Sequence, residues 1–480
     1  MHLSLHRQRT RPSVCVFMMR GIAFGVLFFL CACESRGPSI DSLRAGGELR
    51  VALVSVPHTY YLEPGGILGF DYDLLREFSA SIGTRLKVSM VETRAQAIDL
   101  VTKRKVHLAA GLLPVSGPKH PRLRFGPSYS MMQSQVIYLG GTPHPRNVDD
   151  LVGKTIEILG GGSGEIELKR LAQTHPDLRW QIPERRSSEQ LLARVNTGEI
   201  DYAVVPSTDF MVLRLKYPRL EIGFTLGNMV ATAWALASRS QLSIDRALIN
   251  FFIASEKDEL RERLWDRYYG HYGHFDFVDA RAFLRGYGER FPALRQYFLD
   301  AGATSDIDWR LLAALSYQES HWDPDARSPT GVRGLMMLTK STAKQLQVSR
   351  LDPAQAVAGG ARYLAQLRER LPGSITGDDR LWFALAAYNI GLGHLEDARA
   401  LTQTRGHNPN RWRDVRSVLP SLAKPSVAAT TRFGKARGGQ AVHFVTNIRR
   451  YFDAMRQLER RSVNLENLNQ VVGVGAMSTL

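Results

Sequence analysis

The hydrophobic spacing of this chain changes character once, near residue 270, and that change divides it into two kinds of structure. Before it, short apolar runs alternate with amphipathic ones. "LRVALVSV", from Leu49, reads as a strand, and "DYDLLREFSASIG", from Asp71, as a helix with Leu74, Leu75 and Phe78 on one face. "RLKVSMVE" follows as a strand, "RAQAIDLVTKRK" as a helix and "HLAAGLL" as a strand. The pattern restarts after Leu151 with "KTIEILGG", "GEIELKRLAQ", "RWQIPE", "SEQLLARVNTG" and "IDYAVVPS". Strands alternating with helices at this spacing predict βαβ units and a mostly parallel sheet. Two such halves in series predict two lobes with a cleft between them. From about Phe283 the strand pattern is gone. Every apolar stretch from "RAFLRGYGERF" to "QAVHFVTNIRRYFDAMRQLERR" carries helical spacing, so the second half is all-α.

At 480 residues the chain is too long for one ordinary core. The expected division is a leader (1–33), a linker (34–47), an α/β domain (48–270), a short polar and aromatic crossover (271–282), a helical domain (283–461) and a tail (462–480). Lys+Arg 62 against Asp+Glu 46 gives a formal charge of +16. Such a balance suits nucleic acid, an anionic membrane face or a cell wall bearing carboxylates, and it also simply aids solubility.

The leader narrows the choice. His6, Arg7, Arg9, Arg11 and Arg20 precede the apolar run "GIAFGVLFFL", which is too short to span a bilayer comfortably and reads as an export signal. Met18 and Met19 are alternative starts. "LCAC", Leu30 to Cys33, resembles the bacterial lipobox. That resemblance implies a lipid on Cys33 and membrane attachment; plain cleavage or an uncleaved anchor fits the same residues. Glu34 follows Cys33 where an Asp would favour retention at the inner membrane, so the expected location is the periplasmic face of the outer membrane. All three cysteines, Cys15, Cys31 and Cys33, lie in this leader, which excludes an internal disulfide framework and a Cys-based zinc site in the body. An exported chain does not meet nucleic acid, so peptidoglycan or a membrane surface remains as the anionic partner.

"GELRVAL", "GFDYDLLREFSASIG", "LRFGPSYS" and "GEIDYAVVPS" resemble the family 3 extracellular solute-binding domains of bacterial transport systems. The resemblance implies a hinged, two-lobe, periplasmic-binding-protein-like domain for a small molecule or peptide. Lys119 stands where those proteins carry an Arg for a ligand carboxylate, and Pro206 where they carry an Asp for a ligand amine. Lysine lacks the planar fork of arginine, and proline carries no charge. Charged cell-wall peptides are therefore expected as regulatory ligands in preference to a free amino acid. The turn "LGGGSGEIE" places Gly161 and Ser163 at a helix start, where backbone N–H groups can meet an anion; a tight strand-to-helix turn fits the same residues equally.

In the helical half, Asp308 is placed to cap a helix beginning at Trp309. On it Leu312, Leu315 and Glu319 share a face, so Glu319 ends an apolar row. Burial favours the protonated carboxyl, and a carboxylic acid near neutral pH is what protonation of a C–O leaving group requires. On the helix alone, a Glu at a helix end that turns out to solvent is the favoured reading.

"ALSYQESHWDPDARSPTGVRGLMML" and "FALAAYNIGLGHL" resemble the two motifs of lytic transglycosylases. The resemblance implies a lysozyme-like helical domain that cleaves peptidoglycan glycan strands without a cofactor. It makes Glu319 the catalytic acid and base, Ser328 a polar substrate contact, Met336 part of the turn lining the cleft, and Tyr388 and Asn389 the pair beside Glu319. Tyr388 would orient Glu319 by hydrogen bonding or act as a core aromatic. Met337 stands where many members have Gln, and Gln440 and Phe444 where Glu and Tyr are common; Phe444 is left to stack on a sugar. A lysozyme-like hydrolase using Asp323 or Asp325, where turn formation competes as a role, and a non-catalytic glycan-binding sensor are the alternatives.

Overall fold

The computed structural model describes residues 40–57, 61–63, 66–115, 122–184, 186–238, 242–272, 277–328 and 331–459. The leader with Cys33, the residue Lys119 and the tail lie outside the described residues. The segment expected as a linker includes a helix, Ile40–Gly46, that buries Leu43.

Among the described residues nine strands follow: β1 (Glu48–Val54), β2 (Tyr61–Glu63), β3 (Gly66–Leu68), β4 (Arg85–Val91), β5 (Leu108–Ala110), β6 (Leu123–Leu139), β7 (Ile156–Ile158), β8 (Tyr202–Pro206) and β9 (Leu220–Ala237). Seven form one sheet in the order β4-β1-β5-β9-β6-β8-β7, and β2 and β3 pair separately. β1 runs parallel to β4 and β5, and β7 parallel to β8, as βαβ spacing requires. The expectation of a mostly parallel sheet is nonetheless corrected. β6 and β9, 17 and 18 residues long, pair antiparallel with each other along their length, and each also pairs antiparallel with a strand of one lobe. Their far ends enter different cores: Trp234 and Leu236 pack in the first lobe, Ile137 and Tyr138 in the second. The register shifts repeatedly between Phe125 and Ser134, midway along this ribbon. "RWQIPE" is not a strand; Gln181 makes one isolated bridge to Glu157.

In the helical half, the Trp309–Ser320 helix is the central element, with every residue from Leu311 to Tyr317 buried. It packs on the long Gly438–Leu458 helix, which also covers the Asp379–Ile390 helix. The same long helix meets the α/β half. Arg449 pairs with Asp266 at 3.4 Å, the Tyr272 hydroxyl donates to Asp453 at 2.9 Å, and Gln457 donates to the Val212 carbonyl at 3.3 Å. The expected crossover is therefore no free linker. His271 is buried and hydrogen-bonded to Asp453, and a helix already runs over Phe277–Glu289. One apolar core extends from Leu43, Phe70 and Trp234 through Tyr268 to Phe283, Leu315 and Met455. Among the described residues no helix is long and apolar enough to cross a membrane.

Candidate active site

Asp308 caps the central helix as its sequence position predicts, accepting from the Arg310 N–H at 2.9 Å. Glu319 lies in the last turn, past the fully buried Leu312 and Leu315, and is itself only partly buried. The helix ends abruptly because His321 and Trp322 both adopt left-handed backbone, with φ of 52° and 59°. That conformation costs roughly 1–2 kcal/mol per residue. It is offset by burial of Trp322, whose indole N–H donates to the Ala313 carbonyl at 2.8 Å and whose ring meets Phe283, Phe291 and Tyr317. The reversal leaves Glu319 at the rim of the helix instead of deep within a longer one.

A second segment is fastened beside it. The Ser316 and Ser320 hydroxyls, one helical turn apart, both reach the Leu335 carbonyl, at 3.1 and 2.9 Å. The Tyr388 hydroxyl donates to the next carbonyl, Met336, at 2.8 Å. Two consecutive carbonyls are thus tied to the helix of Glu319 and to the helix of Tyr388. Gly334 begins this segment with φ of 86°, and a Cβ there would lie 2.0 Å from the Arg350 carbonyl, so only glycine fits. The Met336 side chain is fully buried, and a Cβ on Gly360 would come within 2.6 Å of its Cε.

Among the described residues no group donates a hydrogen bond to Glu319. Burial alone acts on it and pushes its carboxyl up to about 8. The Tyr388 hydroxyl lies close enough to feel the Glu319 charge; burial first, then Glu319, holds its pKa well above the usual value. The hydroxyl's own proton is directed to Met336, so the expected bond from Tyr388 to Glu319 is not formed, and Tyr388 fixes the neighbouring wall.

The other expected residues divide. Asn389 is exposed beside Tyr388 and presents its amide to solvent. Ser328 closes a tight turn, its hydroxyl accepting from the Val332 N–H at 3.0 Å. The Met336 side chain is a core residue. Phe444 is only 6% exposed and packs in the core, so its ring is not open to a sugar. Asp323 accepts from the Asp325 N–H at 3.0 Å, the turn role that competes with catalysis. Ser316 and Gly360 were not singled out by sequence. The i,i+4 serines on a buried helix and the paired glycines of "AVAGGARY" are the signals that point to them.

The front cleft holds a cavity of about 440 Å³ lined by Val56, Arg94, Gly161, Ile182 and Arg186 among others. The Gly161 N–H is already taken: it donates to Glu165 at 2.7 Å, and the Ser163 hydroxyl bonds Ser134 at 2.9 Å. The chain's own carboxylate thus takes one of the N–H groups that an anion at this helix start would use. Pro206 ends β8 and is followed by a short helix, Ser207–Leu213, carrying Asp209. Asp209 is buried and accepts from Ser188. The charge of Arg94 opposes the upward push of burial on Asp209. Arg94 is the first residue of the Arg94–Thr102 helix, inside its Thr93–Gln96 capping box, and is itself buried, with Nε lacking a partner among the described residues. Sequence reasoning looked for the cleft cation at Lys119 and passed over Arg94.

Comparison with known proteins adds three findings. The model of the Transglycosylase SLT domain matches residues 296–410. A membrane-bound lytic murein transglycosylase F of Aeromonas hydrophila subsp. hydrophila is 39% identical over 448 residues, covering 93% of this chain and 90% of that protein. One of the same name from Ectopseudomonas mendocina is 39% identical over 454 residues, covering 93% of this chain and 92% of its own. Among solved structures, a mutant of ArgBP from T. maritima is 20% identical with a TM-score of 0.43, over 48% of this chain and 99% of that one.

Proposed function

The chain belongs to the membrane-bound lytic murein transglycosylase F family, and on that premise we propose that it cleaves the MurNAc-β-1,4-GlcNAc bond of peptidoglycan by Glu319 acting alone. The observation that carries this reading is a partly buried carboxyl that has no hydrogen-bond partner among the described residues, so that burial pushes it up to about 8. Protonated Glu319 gives its proton to the bridging oxygen as the C1–O bond breaks. The 2-acetamido oxygen of the muramic unit stabilises the cationic carbon, so no second carboxylate is needed. The resulting carboxylate takes the proton of the 6-hydroxyl, whose oxygen then bonds C1. The product is a 1,6-anhydro ring, and no water is consumed.

The front domain is read as a ligand-sensing unit for charged cell-wall peptides. Support comes from its cavity, with Arg94 and Arg186 as cations at the wall. The leader supports attachment through Cys33 at the periplasmic face of the outer membrane. Mass spectrometry of fragments released from purified sacculi tests the reaction. Anhydro termini support it; reducing ends make the chain a hydrolase, and absence of release makes it a binder.

A further inference from the structure

A single exposed apolar side chain is ordinary on a protein surface. Phe433 is different because it is exposed and yet fixed. It is 50% exposed. Its backbone N–H and that of Arg432 donate to the buried Asp397 carboxylate, at 2.8 and 3.1 Å. Its ring lies where a Cβ on Gly393 would be, 2.7 Å from Cδ1, so the lack of a side chain at Gly393 makes room for it. The His394 ring meets it edge-on with centroids 6.2 Å apart. Gly393 and Asp397 are one turn apart on the Leu392–Thr404 helix, so one helix supplies both floor and clamp.

The location matters as much as the rigidity. Gly393 follows Asn389 by four residues, at most about 14 Å along the chain. The ring is therefore held near the Tyr388–Asn389 end of the candidate active site. Beside it are cations: Arg432, whose guanidinium carbon is 5.3 Å from the ring centroid, and the exposed Lys435 and Arg437.

We propose that Phe433 is a saccharide platform that holds the glycan strand beyond the bond being cut, with Arg432 facing a carboxylate of a peptide stem. The C–H face of a pyranose is apolar, and its hydrogens complement the negative face of an aromatic ring. A ring already immobilised loses little freedom when the sugar binds. This rests on the glycan-cleaving reading above and assigns a part to a residue that the Glu319 chemistry does not use.

The test is co-sedimentation of the full chain with intact sacculi, in a Glu319→Gln background so that binding is read without chemistry. Phe433→Ala and Phe433→Leu should each weaken binding roughly three- to tenfold, while Phe433→Trp retains it. Leucine still fills the space over Gly393, so loss in both variants with unchanged melting temperature isolates the ring. In the otherwise native enzyme the same variants should raise KM with a smaller change in kcat. Binding by Phe433→Ala or Phe433→Leu equal to that of the parent would overturn the platform. If the native chain releases no anhydro product, the proposed reaction fails instead, and the sedimentation result still decides the platform.

Discussion

Both halves of the molecule bury carboxyl groups, and Glu319 is treated in the opposite way from Asp71 and Asp209 of the α/β half and from Asp397 and Asp453 of its own half, which are hydrogen-bonded. In the α/β half, Asp71 accepts from the Tyr129 hydroxyl at 2.5 Å and the Trp234 N–H at 3.3 Å, and burial, the larger effect, still raises it to about 6. Asp209 has Ser188 and the charge of Arg94. In the helical half, Glu319 has neither a donor nor a cation among the described residues to oppose burial, which pushes it up to about 8. Polar partners hold a carboxylate in its charged form and tie it into the structure. Withholding them leaves a proton in place near neutral pH. The polar groups around Glu319 are spent on the backbone next to it: Ser316, Ser320 and Tyr388 all bond carbonyls of Leu335 and Met336. The helical half organises its wall and leaves its acid alone, and this is the difference between a structural and a chemical carboxyl.

Substitutions on each side break the comparison. The largest effect is expected at Glu319→Gln, which keeps the shape but moves no proton. One group serves both steps, so release of anhydro-muropeptides should fall at or beyond the upper end of roughly 10²–10⁴-fold. Asp323→Asn should keep most activity, since its carboxylate serves a turn. In the front cleft, Arg94→Met removes the cation whose charge opposes the burial of Asp209 and should lower stability in denaturant unfolding. Tyr388→Phe leaves the Met336 carbonyl without its donor, at about 1–3 kcal/mol, and should lower kcat by loosening the wall. Gly360→Ala should cost a similar ~1–3 kcal/mol by overpacking against Met336. Smallest is Ser320→Ala, about 0.5–1.5 kcal/mol, because Ser316 still holds the Leu335 carbonyl.

The two carboxyl environments also differ in linkage. The pKa of Glu319 is raised on folding, so between about 4.5 and about 8 the folded chain holds a proton that the unfolded chain has lost. Its contribution to stability therefore falls as pH rises through that window, and the penalty is complete above it. Glu319→Gln should melt higher than the parent at pH 8 and approach it toward pH 4.5. A difference that stays constant across this range would show that Glu319 titrates normally.

The sequence made the halves legible because periodicity is local. It placed the Asp308 cap, the apolar row ending at Glu319 and the parallel pairs of β1, β4 and β5. It failed where structure depends on distant partners. "LRFGPSYSMMQSQVIYL" contains Gly, Pro and polar residues and does not alternate cleanly, yet it becomes β6 because β9 lies beside it. Phe444 and Phe433 illustrate the same limit. One sits in an apolar stretch and is buried; the other, in "TTRFGKARGG", looks like loop and is held open by Asp397 and Gly393. Which way Tyr388 directs its proton depends on a carbonyl from another segment.

The central claim is that solitude keeps Glu319 protonated at neutral pH. Its direct measure is carbon NMR of the chain labelled at glutamate side-chain carboxyls, compared with Glu319→Gln so that one resonance is assigned by its disappearance. That resonance is expected to titrate near pH 8, well above the ordinary glutamate value of 4.5. Titration of the Glu319 resonance near 4.5 would contradict it.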